Sequence, residues 1–146
     1  MKDKKIFYEK LFFLISGIHI KTRRLIEQKL KPLDMTFPQL GAVMALSKKD
    51  KITQRELSEI LDTDTTTIMV LCDSLEKKGS IKRVPDKSDR RINRIVLTKS
   101  GNDVLSKALV LIQPNYELLL NEISKDELQN TIPILEKLYQ KVKQLS

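Results

Sequence analysis

Apolar residues at Phe7, Leu11, Leu14, Ile15, Ile18 and Leu25 recur at helical spacing and predict a long helix over 6–30. Its middle, Leu11-Phe12-Phe13-Leu14-Ile15, is apolar nearly all round, and such a helix must be covered on every side. In a chain this small a second subunit is the natural cover. Three further helix starts carry a capping box, in which a hydroxyl caps the third helical amide and a Glu or Gln reaches back. They are Thr36-Phe37-Pro38-Gln39, Thr53-Gln54-Arg55-Glu56 and Ser124-Lys125-Asp126-Glu127. The first opens a helix to about Ser47 with Phe37, Leu40, Val43 and Met44 on one face, followed by a polar break at 48–51. The second opens a short helix with Leu57, Ile60 and Leu61 inward. A turn at Asp62-Thr63 leads to Asp64, the N-cap of a helix that stops at Gly79, with Ile68, Leu71, Cys72 and Leu75 as its buried stripe.

After Gly79 the period changes. Residues 81–84 and 92–97 are short and rich in β-branched side chains, which predicts two strands around a polar, turn-rich loop at 85–91. Helices return over about 98–121, with Pro114 expected to kink or break the first, and over about 124–145. Both carry heavy apolar loads, including Leu105, Leu109, Leu119, Leu135 and Val142. The fold class is therefore mainly α with a small β-hairpin, in the order α-α-α-α-β-β-α-α.

Charge sharpens this picture. The 146 residues fit one domain, and the net charge is +8. Residues 1–35 and 80–99 each carry +5, whereas 36–79 and 100–146 each carry −1. A charge of +5 within the predicted hairpin points to a polyanionic partner. A short helix, a tight turn and a second helix form a helix-turn-helix, whose second helix can enter the major groove of DNA. A basic hairpin directly afterwards can reach the neighbouring minor groove.

Four runs in this order carry a specific resemblance: Leu57-Ser58-Glu59-Ile60-Leu61, Leu75-Glu76-Lys77-Lys78-Gly79, Asp86-Lys87-Ser88-Asp89-Arg90-Arg91 and Val96-Leu97-Thr98-Lys99-Ser100-Gly101. Together with the run 33–40 they resemble the MarR-type transcriptional regulators. The resemblance implies a winged helix-turn-helix in one domain over 1–146, with 36–99 binding DNA and with dimerisation helices at 1–35 and 100–146. It implies a homodimer that usually represses transcription and responds to small aromatic or phenolic molecules. It carries the wing arginines to Arg90 and Arg91, with Asp89 orienting one of them, and Lys87 and Arg94 belong to the same basic wing. On the recognition helix, Thr65, Thr66, Met69, Val70 and Asp73 lie off the buried stripe and are expected to face DNA. Here the chain departs from the family it resembles, whose members commonly carry Lys or Arg near Thr65 and a Ser-Arg pair near Met69-Val70. Without a guanidinium on this helix, guanine readout weakens and an A·T-rich, roughly palindromic operator is expected.

The remaining candidates are weaker. His19 and Arg23, on the first helix, are candidates for an anionic effector's pocket between that helix, the helix at 36–47 and the start of the helix after Thr98. One histidine and one cysteine make a poor transition-metal site, and no cofactor is expected. Cys72 on the buried stripe is expected to be a small core residue. Nothing pairs a nucleophile with a base, and 4 glycines with 1 histidine make an enzyme a poor fit. The other reading is a winged-helix protein-interaction module using the Met69-Val70 face, which would not need the wing's charge. The lone cysteine and the N-terminal run of Met1 to Lys10, charged and without a long apolar stretch, point to the cytoplasm. No stretch approaches a membrane span.

Overall fold

Capping chemistry sets the helix starts. A computed structural model describes residues 2–146, with side chains from residue 4 onward, so Met1 and the Lys2 and Asp3 side chains of the N-terminal run lie outside the described residues. The helices are α1 (Lys2–Leu30), α2 (Phe37–Lys48), α3 (Gln54–Leu61), α4 (Thr65–Lys77), α5 (Lys99–Leu120) and α6 (Lys125–Leu145). A short 3-10 turn, Lys31–Leu33, follows α1. All three predicted capping boxes form, at Thr36 with Gln39, Thr53 with Glu56 and Ser124 with Glu127. The strands β1 (Ile81–Pro85) and β2 (Asn93–Leu97) pair antiparallel, from Ile81 opposite Leu97 to Pro85 opposite Asn93.

The chain divides into two compact units, Met1–Ile112 and Gln113–Ser146. In the first, the core draws on α1 to α5 and both strands: Leu30, Val43, Leu57, Ile68, Ile81, Ile95 and Ile112 are all buried. Two glycines serve this packing. Gly79 has a φ of 73°, a left-handed turn that a side chain disfavours, and it takes the chain from α4 into β1. Gly101 lets α5 lie against the strands, since a Cβ there would overlap the Ser80 carbonyl and the Leu97 side chain. Thr98 stitches the same joint, its amide donating to the Ser80 carbonyl at 3.0 Å and its hydroxyl accepting from Gly101 N at 2.9 Å. In the second unit, α6 starts at the Ser124 cap after a turn closed by Ile123 N donating to Leu120 O at 3.0 Å.

Several expectations change. The first helix starts at Lys2 rather than at 6. Ile60 faces outward, because Leu57 and Ser58 already fill the buried side of the eight-residue α3. Leu71 is only half-buried at the edge of its stripe. Directly after the polar break Ile52 forms an isolated bridge to the hairpin, where Ile95 N donates to Ile52 O at 2.7 Å and Ile52 is fully enclosed. Helix α5 continues through Pro114 to Leu120 rather than breaking, since one missing N–H forfeits one ladder bond and the turns on either side persist. Helix α5 contributes Leu105, Ala108 and Ile112 to the core of the first unit.

Candidate nucleic-acid interface

Asp62 closes α3 with a left-handed φ of 50°, and two residues later Asp64 opens α4. The Asp64 carboxylate accepts from Thr67 N at 2.9 Å and from the Thr67 hydroxyl at 2.6 Å, which also hold it below its ordinary pKa. This tight corner fixes which side of α4 faces the core. Ile68, Cys72 and Leu75 are enclosed. Thr65, Thr66, Met69 and Val70 are therefore presented together on the outside, as the spacing predicts, with Met69 48% and Val70 62% exposed. The far end of α4 is tied to the start of α2: the Gln39 amide donates to the Ser74 hydroxyl at 2.9 Å, and Lys78 pairs with Asp34 at 2.9 Å.

Asp73, expected on the DNA face, is occupied differently. Its carboxylate accepts from Arg83 of β1 at 2.5 Å, and Glu76 accepts from the same guanidinium and from Arg83 N at 3.2 Å. Burial alone would lower the Arg83 pKa, but its hydrogen bonds to Asp73 and Glu76 outweigh it and raise the value. Arg83 thus joins the wing's first strand to the recognition helix.

The wing loop is organised by Asp86, which sequence reasoning placed in the run 86–91 but gave no role. It is buried, and its Oδ1 accepts from Ser88 N at 2.8 Å and Asp89 N at 3.2 Å. The Ser88 hydroxyl and Arg94 Nε also donate to this carboxylate, and together these bonds hold it far below the usual carboxylate range. An Asp in a turn-rich loop is the available signal, since its side chain readily accepts from the backbone amide two residues on. Asp89 then receives Arg91, whose backbone N, Nε and Nη2 each donate at 3.0 Å, so the bidentate pair forms at Arg91 and not at Arg90. The Arg91 side chain nevertheless stays 89% exposed. Arg90 and Lys87 are exposed and have no ion-pair partner among the described residues. Arg94 is instead turned inward, toward Asp86, Glu56 and the Lys51 carbonyl. The +5 of this window therefore divides into cations offered outward and cations locked into the fold.

The effector candidates converge on one ring. His19 meets Phe37 edge-on at 6.3 Å between centroids, and Arg23 Cζ lies 5.8 Å from the Phe37 ring centre while pairing with Glu27 at 3.0 Å. A cleft of about 260 Å³ that Phe37 also borders lies between α2, the end of α3 and α4, with Leu61, Thr67 and Leu71 in its wall. His19 and Arg23 do not line it. Cys72 is fully enclosed, and burial pushes its thiol up to about 11. Among the described residues no group of three or more His, Cys, Asp or Glu is placed to hold a metal ion. No helix of the described residues is long and apolar enough to cross a membrane.

Comparison with known proteins agrees with this geometry. A model of the MarR family matches residues 33–92, which span α2 to the wing loop. The HTH-type transcriptional regulator SarZ of Staphylococcus haemolyticus is 31% identical over 107 residues, covering 73% of this chain and 71% of that protein. A crystal structure of a mutant MarR from E. coli complexed with operator DNA superposes with a TM-score of 0.80 at 28% identity, covering 88% of this chain and 93% of that one. The transcriptional regulator BldR from Sulfolobus solfataricus reaches a TM-score of 0.83 at 21% identity, over 95% and 96% of the two chains, a likeness of fold alone.

Proposed function

The chain belongs to the MarR family, and on that premise we propose that it is a double-stranded DNA-binding transcriptional regulator, working as a homodimer. The observation that carries this reading is the adjacency of two surfaces. The Thr65, Thr66, Met69 and Val70 face of α4 is clamped through Arg83 to a wing that offers Arg90 and an Asp89-held Arg91. The similar MarR of known structure is complexed with operator DNA, which supports the same use of these elements here. As a regulator the chain needs no catalytic centre and no cofactor. The cytoplasm, where its DNA would lie, also suits a free cysteine.

The operator we expect is A·T-rich and roughly palindromic, with half-sites about one helical turn apart, as a two-fold dimer requires. Thr hydroxyls and the Met69 and Val70 side chains suit thymine methyls and single hydrogen bonds, not the bidentate arginine–guanine contact. The apolar pair would also suit a protein partner, but a basic wing fixed to the same helix favours DNA. Repression relieved by a small aromatic or phenolic effector completes the reading, with the Phe37 neighbourhood of His19 and Arg23 as the region to examine. Selection of bound sequences from random duplexes by the purified protein, at low and high salt and with and without aromatic acids, tests it. Salt-sensitive enrichment of A·T-rich palindromes is expected. Thr66→Ala or Val70→Ala should relax one or two positions and leave the salt dependence unchanged. Invariant G·C pairs at the centre of each half-site would overturn the readout, and absence of duplex binding would overturn the function.

A further inference from the structure

We propose that Arg94 is a positioning residue that sets the wing through Asp86, and that it does not itself contact DNA; this deepens the reading above, on which the wing engages the duplex. In sequence Arg94 is one more cation of the basic hairpin. In the fold its half-buried guanidinium joins three separate segments. Nε donates to Asp86 of the wing loop, Nη1 donates to the Lys51 carbonyl at 2.9 Å, and Nη1 lies 3.7 Å from Glu56 of α3. A planar fork of five donors suits such bridging, whereas a lysine ammonium cannot span it.

Each of the three segments has its own stake in this contact. Asp86 is the one charged side chain counted as buried among the described residues, and without Arg94 it would be a buried acid lacking its ion-pair partner. The same carboxylate caps the loop at Ser88 and Asp89, and Asp89 in turn holds Arg91. Lys51 adopts a left-handed φ of 58°, uncommon for a residue with a side chain, and Arg94 fixes its carbonyl next to the Ile52–Ile95 bridge. Glu56 belongs to the box that starts α3. A continuous path therefore runs from the first helix of the helix-turn-helix, through Arg94 and Asp86, to the arginine at the wing tip.

Two roles for Arg94 make opposite predictions. If it contacted a DNA phosphate, Asp86 would oppose the polyanion, and neutralising Asp86 would tighten binding. If it positions the wing, neutralising Asp86 weakens binding although a negative charge has been removed. The experiment compares Asp86→Asn, Arg94→Lys and their double variant with the wild-type chain. Duplex affinity is measured across a salt series, and amide hydrogen exchange is followed at 87–92 in the free proteins. Positioning predicts about a tenfold loss for each single variant, no further loss in the double variant, and a salt slope unchanged from wild type. It also predicts faster exchange in the loop while α4 is unaffected. Arg94→Lys keeps the charge, so undiminished affinity there, or tighter binding by Asp86→Asn, overturns the proposal. Should Asp86→Asn fail to fold, the milder Arg94→Lys carries both readouts. Should the wild-type chain bind no duplex, the function fails, and loop exchange still decides positioning: unchanged exchange overturns it.

Discussion

Arg90 and Arg91 differ in what holds them. Asp89 orients Arg91 through its carboxylate and leaves the side chain outward, a preordered guanidinium that loses little freedom on entering a groove. Arg90 is exposed and has no ion-pair partner among the described residues. Arg91→Ala should weaken operator binding by about 1–3 kcal/mol, the range for a good groove contact. Arg90→Ala should cost less, and neither should shift the melting temperature. Fluorescence anisotropy with a labelled operator reads the first effect and thermal denaturation the second; equal affinity for the double variant would make both arginines solvated tip residues. Cys72 offers a different residue-scale test. Its thiol is raised from its usual value near 9 to about 11 by burial, so the folded state keeps a proton that the unfolded state releases. Stability from this source is fully present below pH 9 and is lost as pH climbs toward 11. Cys72→Ser should flatten that alkaline limb in urea titrations, and the native thiol should resist alkylation at neutral pH.

At the scale of elements, short-range chemistry places the helices and long-range packing fixes their joints. The joint between the wing and α5 depends on Gly101. Alanine normally favours a helix by about 1 kcal/mol over glycine, but here its Cβ would overlap a backbone carbonyl at Ser80 that the Thr98 amide and hydroxyl hold in place. The clash should win, and Gly101→Ala should destabilise the fold by about 1–3 kcal/mol, read as a lower midpoint in urea. An unchanged or higher midpoint would mean that α5 shifts freely on the strands. The Arg83 clamp acts at the same scale, because Asp73 and Glu76 spend acidic charge on the strand that would otherwise face DNA from α4.

For the whole molecule the open question is what covers the apolar surface left outside. In the first unit Phe7 is 69% and Phe13 78% exposed on α1, and in the second unit Leu118, Ile134 and Val142 are also exposed. The second unit buries none of its α6 residues. Covering each large side chain is worth about 1.5–3 kcal/mol, so several of them approach the entire stability of a small domain. We expect the second copy of the chain to supply that cover. Sedimentation at micromolar concentration should give the mass of a dimer with no folded monomer, and Phe13→Asp should lower both dimer content and stability. A well-folded monomer at that concentration would overturn the expectation. Duplex binding should also fall steeply with salt, since each phosphate contact releases counterions.

The sequence by itself determined the elements whose causes are local. The capping boxes at Thr36, Thr53 and Ser124, the Asp64 cap, the stop at Gly79 and the β-branched runs act over a few residues, and they appear where the pattern places them. The outward face of α4 was legible for the same reason, because one buried stripe fixes the opposite side. Tertiary structure alone decided how like charges divide. Arg90, Arg91 and Arg94 are indistinguishable by residue type, and only strand register, which sets Arg94 opposite Val84 and beside Lys51, turns one inward and leaves the others out. It likewise turned Ile60 outward, bridged Ile52 to the hairpin and carried α5 past Pro114. These outcomes depend on partners distant in sequence, about which periodicity and local propensity carry no information.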